Sequence, residues 1–530
     1  MQISKVPFHT ISKLAYKDVF YQENYSKLKD FIQFEPTLKG LETAISQRKS
    51  FPVNRELLFQ VLKEQYEGLD SSGTQLSNIE KIKLENTFTI VTAHQPTVMG
   101  GPGYYFYKIY SAINLCTMLN RLFPDYNFIP VFINGSEDHD FDEIKSVHMF
   151  GKSVTWETDQ MGPVGRFSIE GLERVIAQVS DILGDSAKAK NISDIFKTSL
   201  SVSADYNDFV RRWVNMFFRE SGLIVLNMDN LQLKKAFIPV MEKELTEQVS
   251  QSIVIDVQNE LSRKFNFSPQ AYVRDINLFY VEGQSRERIY TEHELYRINN
   301  TDKHYSKDEI VEILHTHPER FSPNVVMRPL YEEFTLPNLA YIGGGGEIAY
   351  WLERKKQFNA FNIFFPVLLR RNSVLFVPNY IQKMIDKLSF GEDDIWKDEQ
   401  QLIHIYLKNS TEEEYDLKIE AKQITKIFTE IAEKAKAIDP TLEYSVLAEA
   451  QKTIKTIDNI EARLKRNLKQ KEDVQINQIK NLKNKLFPNN NLQERVESFL
   501  PFYLNEDYDM DMILKDNLNP LDKSFLVFYM

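Results

Sequence analysis

Between Thr87 and Thr92 the chain runs as a β-branched and apolar stretch into a polar, glycine-containing loop, and from about Tyr104 to Leu122 apolar positions recur at helical spacing. That pattern predicts a strand, a glycine turn and a helix. A second apolar run, Asn127 to Ile133, predicts another strand, which ends in the acidic segment GSEDHDFDE. GLIVLNM and Leu339 to Ile342 read as further strands, the latter entering Gly343 to Gly346 and then a helix near Glu347. Strands alternating with helices predict an α/β fold with a doubly wound parallel sheet. Ligands of such sheets bind beyond the carboxyl ends of the strands, where strand order reverses. The turns Gly100 to Gly103 and Gly343 to Gly346 are therefore expected to open into one cleft with the acidic segment.

Helical patterns with charged outer faces fill residues 11–85, and residues 151–200 read as a looser polar segment. From 271 to 300 short alternating pieces predict an antiparallel meander inserted into the sheet domain. After Val374 to Val377 the composition shifts to Lys, Glu, Gln, Ile and Leu. Leu417, Ile424, Ile431 and Ile438 recur every seven residues, and Asp439 and Pro440 then supply an N-cap and a first-turn proline. Beyond them Leu447, Ala450, Ile454, Ile457, Leu464 and Leu468 keep a and d spacing, continued after a phase shift by Ile476, Ile479, Leu482 and Leu486. One helix from Thr441 to Leu486 would reach roughly 70 Å at ~1.5 Å per residue, farther than a globular core covers. The expectation is an antiparallel helical hairpin that mediates a homodimer. The predicted organisation is a sheet domain over 1–377 with inserted segments at about 151–220 and 265–320, a coiled coil over 378–490, and a segment over 491–530 that packs back on the core.

A length of 530 residues sets a prior of roughly three domains. Hydrophobic residues at 42% are enough for large folded cores, and a net charge of -11 argues against DNA, RNA or an anionic membrane as partner. Acids interleave Lys452, Lys455, Arg463, Lys465, Arg466, Lys469 and Lys471, so that helix face reads as solvated. The most apolar stretch, FNIFFPVLLRRNSVLFV, is broken by Arg370 and Arg371 short of the ~20 residues that a span needs. The first residues, MQISKVPFHTISKL, lack the apolar core of a signal peptide. A cytoplasmic protein acting on small metabolites is expected, and the single Cys116, inside an apolar helix, reads as a buried hydrophobe.

The turn with Gly100, Gly101 and Gly103 is neither a Walker A loop nor a complete GxGxxG. Behind it, next to Tyr104, Lys108 aligns with Ala112, Leu115 and Leu119 on an apolar helix face, where a charge needs a counter-ion. A phosphate or carboxylate ligand at the helix N-terminus would serve, as would an acid of the next loop; the expectation adopted is the bound anion. His94 and Gln95 follow the first strand, and His94 suits a general base or a hydrogen-bonding role. Glu137, Asp138, His139 and Asp140 crowd carboxylates at a strand end, where they could hold Mg²⁺, orient an amine or ribose hydroxyls, or cap a helix. Gly343, Gly344, Gly345 and Gly346 would let backbone approach a ligand ahead of Glu347, and Asn324 and Arg328 precede them, with Arg328 able to fork onto a carboxylate or phosphate. His315 and His317 are taken as structural, and no metal-ligand set is assigned.

The blocks TAHQPTVMGGPGYYFYKI, PVFINGSEDHDFDEI and SPNVVMRPLYEEFTLPNLAYIGGGGEIAYW, with the coiled-coil tail, resemble the bacillithiol biosynthesis cysteine-adding enzymes over nearly the whole chain. The resemblance implies a Rossmann-like core similar to class I synthetases and nucleotidyltransferases, and a coiled coil used for dimerisation. It also implies a reaction in which L-cysteine is joined by an amide bond to the amine of glucosaminyl malate. Relatives often carry glutamine where His94 stands, which implies a hydrogen-bonding role there. Neither HIGH nor KMSKS occurs intact. Amide formation from a free carboxylate needs activation, so ATP with Mg²⁺ is the expected cosubstrate, with no tightly bound cofactor. Two other classes stay open: a metal-dependent hydrolase built on Glu137 to Asp140, and a coiled-coil scaffold with a degenerate core.

Overall fold

A computed structural model describes residues 1–410, 417–471 and 473–530, without the side chains of 410 and 468–471. The chain divides into two compact units. One comprises Ile3–Phe376 with Asn491–Phe528, and the other is chiefly Val377–Asn490.

In the larger unit the apolar runs form a five-stranded sheet in which every pairing is parallel. In spatial order its strands are Val367–Arg370, Asn338–Gly343, Thr87–His94, Asn127–Asn134 and Ile224–Asn227. Numbered along the chain this is 5-4-1-2-3, which read from the other edge is the 3-2-1-4-5 start of the Rossmann order. The order reverses between Thr87–His94 and Asn338–Gly343. His94 and Gly344 thus sit on either side of the switch point. These strands are buried on both faces, which is why they read as continuous apolar runs rather than alternating ones.

The meander forms as expected from its alternation: Leu278–Glu282, Ser285–Glu292, Leu295–Ile298 and His304–Tyr305 pair antiparallel in succession, and Phe321–Pro323 closes the sheet on Leu278–Glu282. One detail differs from the sequence reading and two go beyond it. Ser373–Val377 is not an edge of the parallel sheet but pairs in a separate one with Ser524–Tyr529, whose other neighbour is Gln2–Pro7. Residues 151–200 are not loose, because Leu172–Leu183 and Ala187–Ser201 are helices. Before Phe265 stand two helices, Leu231–Glu247 and Val249–Phe265, broken at Gln248, whose φ is 51°.

In the smaller unit Lys418–Lys436 and Pro440–Lys471 pack as an antiparallel hairpin, with Lys436 Nζ 2.9 Å from Glu443 and the Leu417 amide donating to Glu461. Ile476, Ile479, Leu482 and Leu486 of Asp473–Leu486 are buried. The other heptad positions split: Ala450 is buried, whereas Ile431, Ile438, Leu447 and Leu464 are exposed. The continuity of a Thr441–Leu486 helix depends on Glu472, and the Leu468, Lys469 and Lys471 side chains likewise lie outside the described residues.

Candidate active site

At the switch point a cavity of about 550 Å³ opens between the strand ends and the antiparallel insertion. His94 and Gln95 line it from the first strand and Glu137, Asp138 and His139 from the second. Gly344, Gly345, Gly346 and Glu347 line it from the fourth, and Tyr104, Asn324 and Arg328 complete the expected set. Gly100, Gly101, Gly103, Gly343, Lys108 and Asp140 do not line it. The expected single cleft is therefore formed by the second glycine turn and the acidic loop, without the first glycine turn.

The first turn packs against protein instead. Gly100 and Gly101 adopt φ of 79° and 53°, and a Cβ on Gly101 would strike Thr97 at 2.3 Å. The Gly103 amide donates to Glu497 O, and the next free helix amides donate to Pro102 O and Gly103 O. These amides are thus taken up by the protein's own carbonyls. In the second turn a Cβ on Gly345 would lie 2.2 Å from Asp18 Cγ, whose carboxylate is paired with Arg370. Close approach of a protein carboxylate, and not only of a ligand, thus explains that glycine.

Lys108 is buried, and its partner is Glu347, with Nζ 2.7 Å from Oε2. The expectation of a bound anion is corrected: the counter-ion is a carboxylate brought from the other side of the switch point. Nζ also donates to Ala93 O. Glu347 further accepts from Tyr341 Oη at 2.7 Å and from the Gly344 amide at 2.8 Å. Burial alone would raise its carboxyl, but Lys108 and the Gly344 amide hold it at about 2. Burial pulls the ammonium of Lys108 below its ordinary value, against the attraction of Glu347. The 2.7 Å contact and the depressed carboxyl mark a charged pair.

His94 lies beside that pair. Its Nδ1 is 3.0 Å from Gln95 O, so Nδ1 carries the proton and Nε2 accepts from Tyr104 Oη at 3.3 Å. Burial and the nearby Lys108 ammonium lower its pKa to about 4. The ring is neutral at pH 7, with both nitrogens engaged. Because the unfolded chain takes up this proton first as pH falls, stability is lost on going down through the range from 6.5 to 4. Between pH 6.5 and 5 the loss is about 2 kcal/mol. His94→Gln, which does not titrate, is expected to flatten that limb in urea unfolding; parallel curves would contradict the assignment.

The acidic loop is pulled apart by its partners. Glu137 pairs with the buried Lys234 at 2.6 Å, and Lys234 also holds Asp229 at 2.8 Å, which Arg166 grips from outside. Asp138 accepts from the His139 and Asp140 amides and from Gln95 Nε2 at 3.0 Å. Burial opposes its charge, but these donors and Arg328 keep it below the usual carboxylate range. Asp140 is exposed and contributes its backbone amide. Among the described residues no three His, Cys, Asp or Glu side chains converge on a metal position. Asn324 spends its Oδ1 on the Val326 and Met327 amides, so its first role is to shape the loop before Arg328.

Glu143, the last acid of the segment GSEDHDFDE, also lines the cavity, and several lining residues were not singled out from sequence: Asp229, Arg274, Arg286, Arg371 and Arg495. Asp229 and Arg371 follow the carboxyl ends of the third and fifth strands, so the rule that found the acidic loop would have found them. Arg274, Arg286 and Arg495 come from outside the parallel sheet, and no local pattern marks them.

Two family models cover the chain: the bacillithiol biosynthesis BshC N-terminal Rossmann-like domain over residues 1–372, and the BshC C-terminal coiled-coil domain over residues 374–530. The second model assigns residues 491–528 to the coiled-coil domain, whereas in the structure they belong to the larger compact unit. The chain is 39% identical to the Flavobacterium johnsoniae protein named "Putative cysteine ligase BshC", over 95% of each chain. Proteins of the same name from Cytophaga hutchinsonii and Staphylococcus saprophyticus are 36% and 27% identical, over 95% and 97% of this chain and 94% and 98% of theirs. The switch-point cavity, the Rossmann strand order and these full-length matches establish that the chain belongs to the BshC family of bacillithiol biosynthesis.

Proposed function

We propose that this protein is a carbon–nitrogen ligase that joins the carboxyl group of L-cysteine to the amine of glucosaminyl malate, with ATP-dependent activation of the carboxyl. The observation that carries the reading is the cavity at the switch point of a Rossmann-ordered sheet, in a chain matched end to end by proteins named as cysteine ligases. Its volume falls in the range of ordinary small-molecule sites.

The residues suit three tasks. Asp138, kept ionised, is a seat for an ammonium group of a substrate, and Gln95 fixes its orientation. Arg328, whose charge Tyr350 and Glu332 favour against burial, faces the cavity as a donor for a carboxylate or phosphate. His94 orients Tyr104 rather than acting as a base. Activation proceeds by attack of a cysteine carboxylate oxygen on a phosphorus of ATP, expelling pyrophosphate or ADP. The acceptor amine then attacks the acyl carbon, and the phosphate-bearing group leaves with that oxygen. Among the described residues the donor set offers Mg²⁺ no ready-made cage, so Mg²⁺ fits as an ion carried mainly by the nucleotide phosphates, where it would neutralise their charge.

The exposed Ile431, Leu447 and Leu464 support a homodimer through the hairpin, since a solvated two-helix unit has no need of them. Light scattering at micromolar concentration is expected to give a dimer; a monomer would refute it. Among the described residues no helix is long and apolar enough to cross a membrane, in keeping with a cytoplasmic enzyme of small metabolites. The ligase reading is tested by incubating purified protein with L-cysteine, glucosaminyl malate and ATP, assaying both thiol and nucleotide products. The expected result is the amide with equimolar nucleotide turnover, and its absence with both substrates present would overturn the reading.

A further inference from the structure

Of the five carboxylates on the cavity wall, three are ion-paired within the protein and two, Asp138 and Glu143, meet only neutral donors. Glu137 and Asp229 hold Lys234, Glu347 holds Lys108, and Asp138 and Glu143 both accept from Gln95. The arginines divide in the same way. Arg371 is tied to Glu494, but Arg274 and Arg286, both from the antiparallel insertion, form no ion pair within 4.0 Å among the described residues. Two guanidinium groups on the insertion side of the cavity are thus left without a counter-ion in direct contact among the described residues.

Arg286 is also held in place before any ligand arrives. Its guanidinium carbon lies 3.8 Å from the centre of the Phe279 ring. Nε donates to Ser322 Oγ at 3.1 Å, Nη2 to Pro323 O at 3.2 Å and Nη1 to His139 Nδ1 at 2.8 Å. Three of its five donors are thus spent on neutral acceptors, and two remain. Since arginine only donates, His139 Nδ1 must accept, which leaves the ring proton on Nε2 and makes this histidine a further donor rather than a base. Arg274 is less constrained, with its guanidinium 4.7 Å from the Tyr272 ring centre.

We infer that Arg286 and Arg274, assisted by His139, form a dicarboxylate subsite on the insertion side of the cavity that takes the malate end of the acceptor. The identity of the acceptor rests on the ligase reading; the anion chemistry does not. A stacked guanidinium offers a flat donor edge that matches a planar carboxylate. Phosphate shares the charge, so the test separates the two.

The full chain is titrated by calorimetry with L-malate, with its dimethyl ester and with inorganic phosphate. Malate is expected to bind and the ester not to, and Arg286→Met and Arg274→Met are each expected to weaken malate roughly tenfold or more. Arg274 is half-buried and its guanidinium makes no hydrogen bond among the described residues, so that variant decides the matter if Arg286→Met does not fold. Equal binding of ester and acid, malate affinity unchanged in the folded variants, or phosphate binding tighter than malate with the same arginine dependence would overturn the subsite. Malate binding lost in the variants of a protein that forms no amide would uphold the subsite and refute the ligase reading alone. Amide formation with malate binding insensitive to both arginines would do the reverse.

Discussion

Changing Lys108 to Met is expected to lower the unfolding free energy of the sheet-bearing unit by ~3–5 kcal/mol, the cost of leaving a buried carboxylate without its cation. The methionine keeps the stem's packing, so the loss reports charge and not volume. Glu347 would still accept from Tyr341 and the Gly344 amide but would have lost the ammonium 2.7 Å away. The double variant Lys108→Met, Glu347→Gln removes both charges and is expected to recover much of the loss in a double-mutant cycle. The pH dependence has a fixed sign. The Glu347 carboxyl is depressed to about 2 in the fold, so its stabilisation is present above the unfolded value near 4.5 and is lost as pH falls toward 2. In Lys108→Met that acid limb should be shallower. A variant as stable as the parent would show that the pair contributes nothing.

The second large effect is expected at Glu494, which fastens the C-terminal segment within the sheet-bearing unit. Its two oxygens accept from Arg371 Nη2 at 2.8 Å and Nη1 at 2.9 Å, from Ser373 Oγ at 3.0 Å and from the Val374 amide at 3.0 Å. All four partners are donors. Burial raises the Glu494 carboxyl, but Arg371 overrides it and holds it below the ordinary range. Glu494→Gln is nearly isosteric, yet its amide nitrogen must face two donors while Arg371 loses its counter-charge. A loss of ~3–5 kcal/mol in urea unfolding is expected. Because Arg371 also lines the cavity, ligand affinity should fall in the same variant. A change below ~1 kcal/mol, the scale of an exposed pair, would contradict the account.

These two pairs also mark where sequence reading stops. The strands were legible because strands buried on both faces are continuous apolar runs, and the acidic loop and the second glycine turn were legible because they follow strand ends. The helix Leu172–Leu183 was missed although Leu172, Val175, Ile176, Val179 and Leu183 form one apolar stripe, because the polar residues between them gave the segment a loop-like composition. That Lys108 needs a partner follows from its place on an apolar face. Which partner does not, because Glu347 lies far along the chain and meets it only when the fourth strand pairs with the first. The first glycine turn misled for a related reason: glycine signals close approach without saying whether protein or ligand approaches. Arg274 and Arg286 sit in a meander whose alternation fixes strands but not what their ends face.

The central claim, that this cavity activates the carboxyl group of cysteine for amide formation, is tested most directly by isotope transfer. Purified protein is given L-cysteine labelled with ¹⁸O in its carboxyl group, together with glucosaminyl malate, ATP and Mg²⁺, and the products are weighed by mass spectrometry. One ¹⁸O is expected in the amide and one in AMP or inorganic phosphate, since the oxygen that attacks phosphorus leaves with it. Amide formed without ¹⁸O in any phosphorus-containing product would contradict the claim.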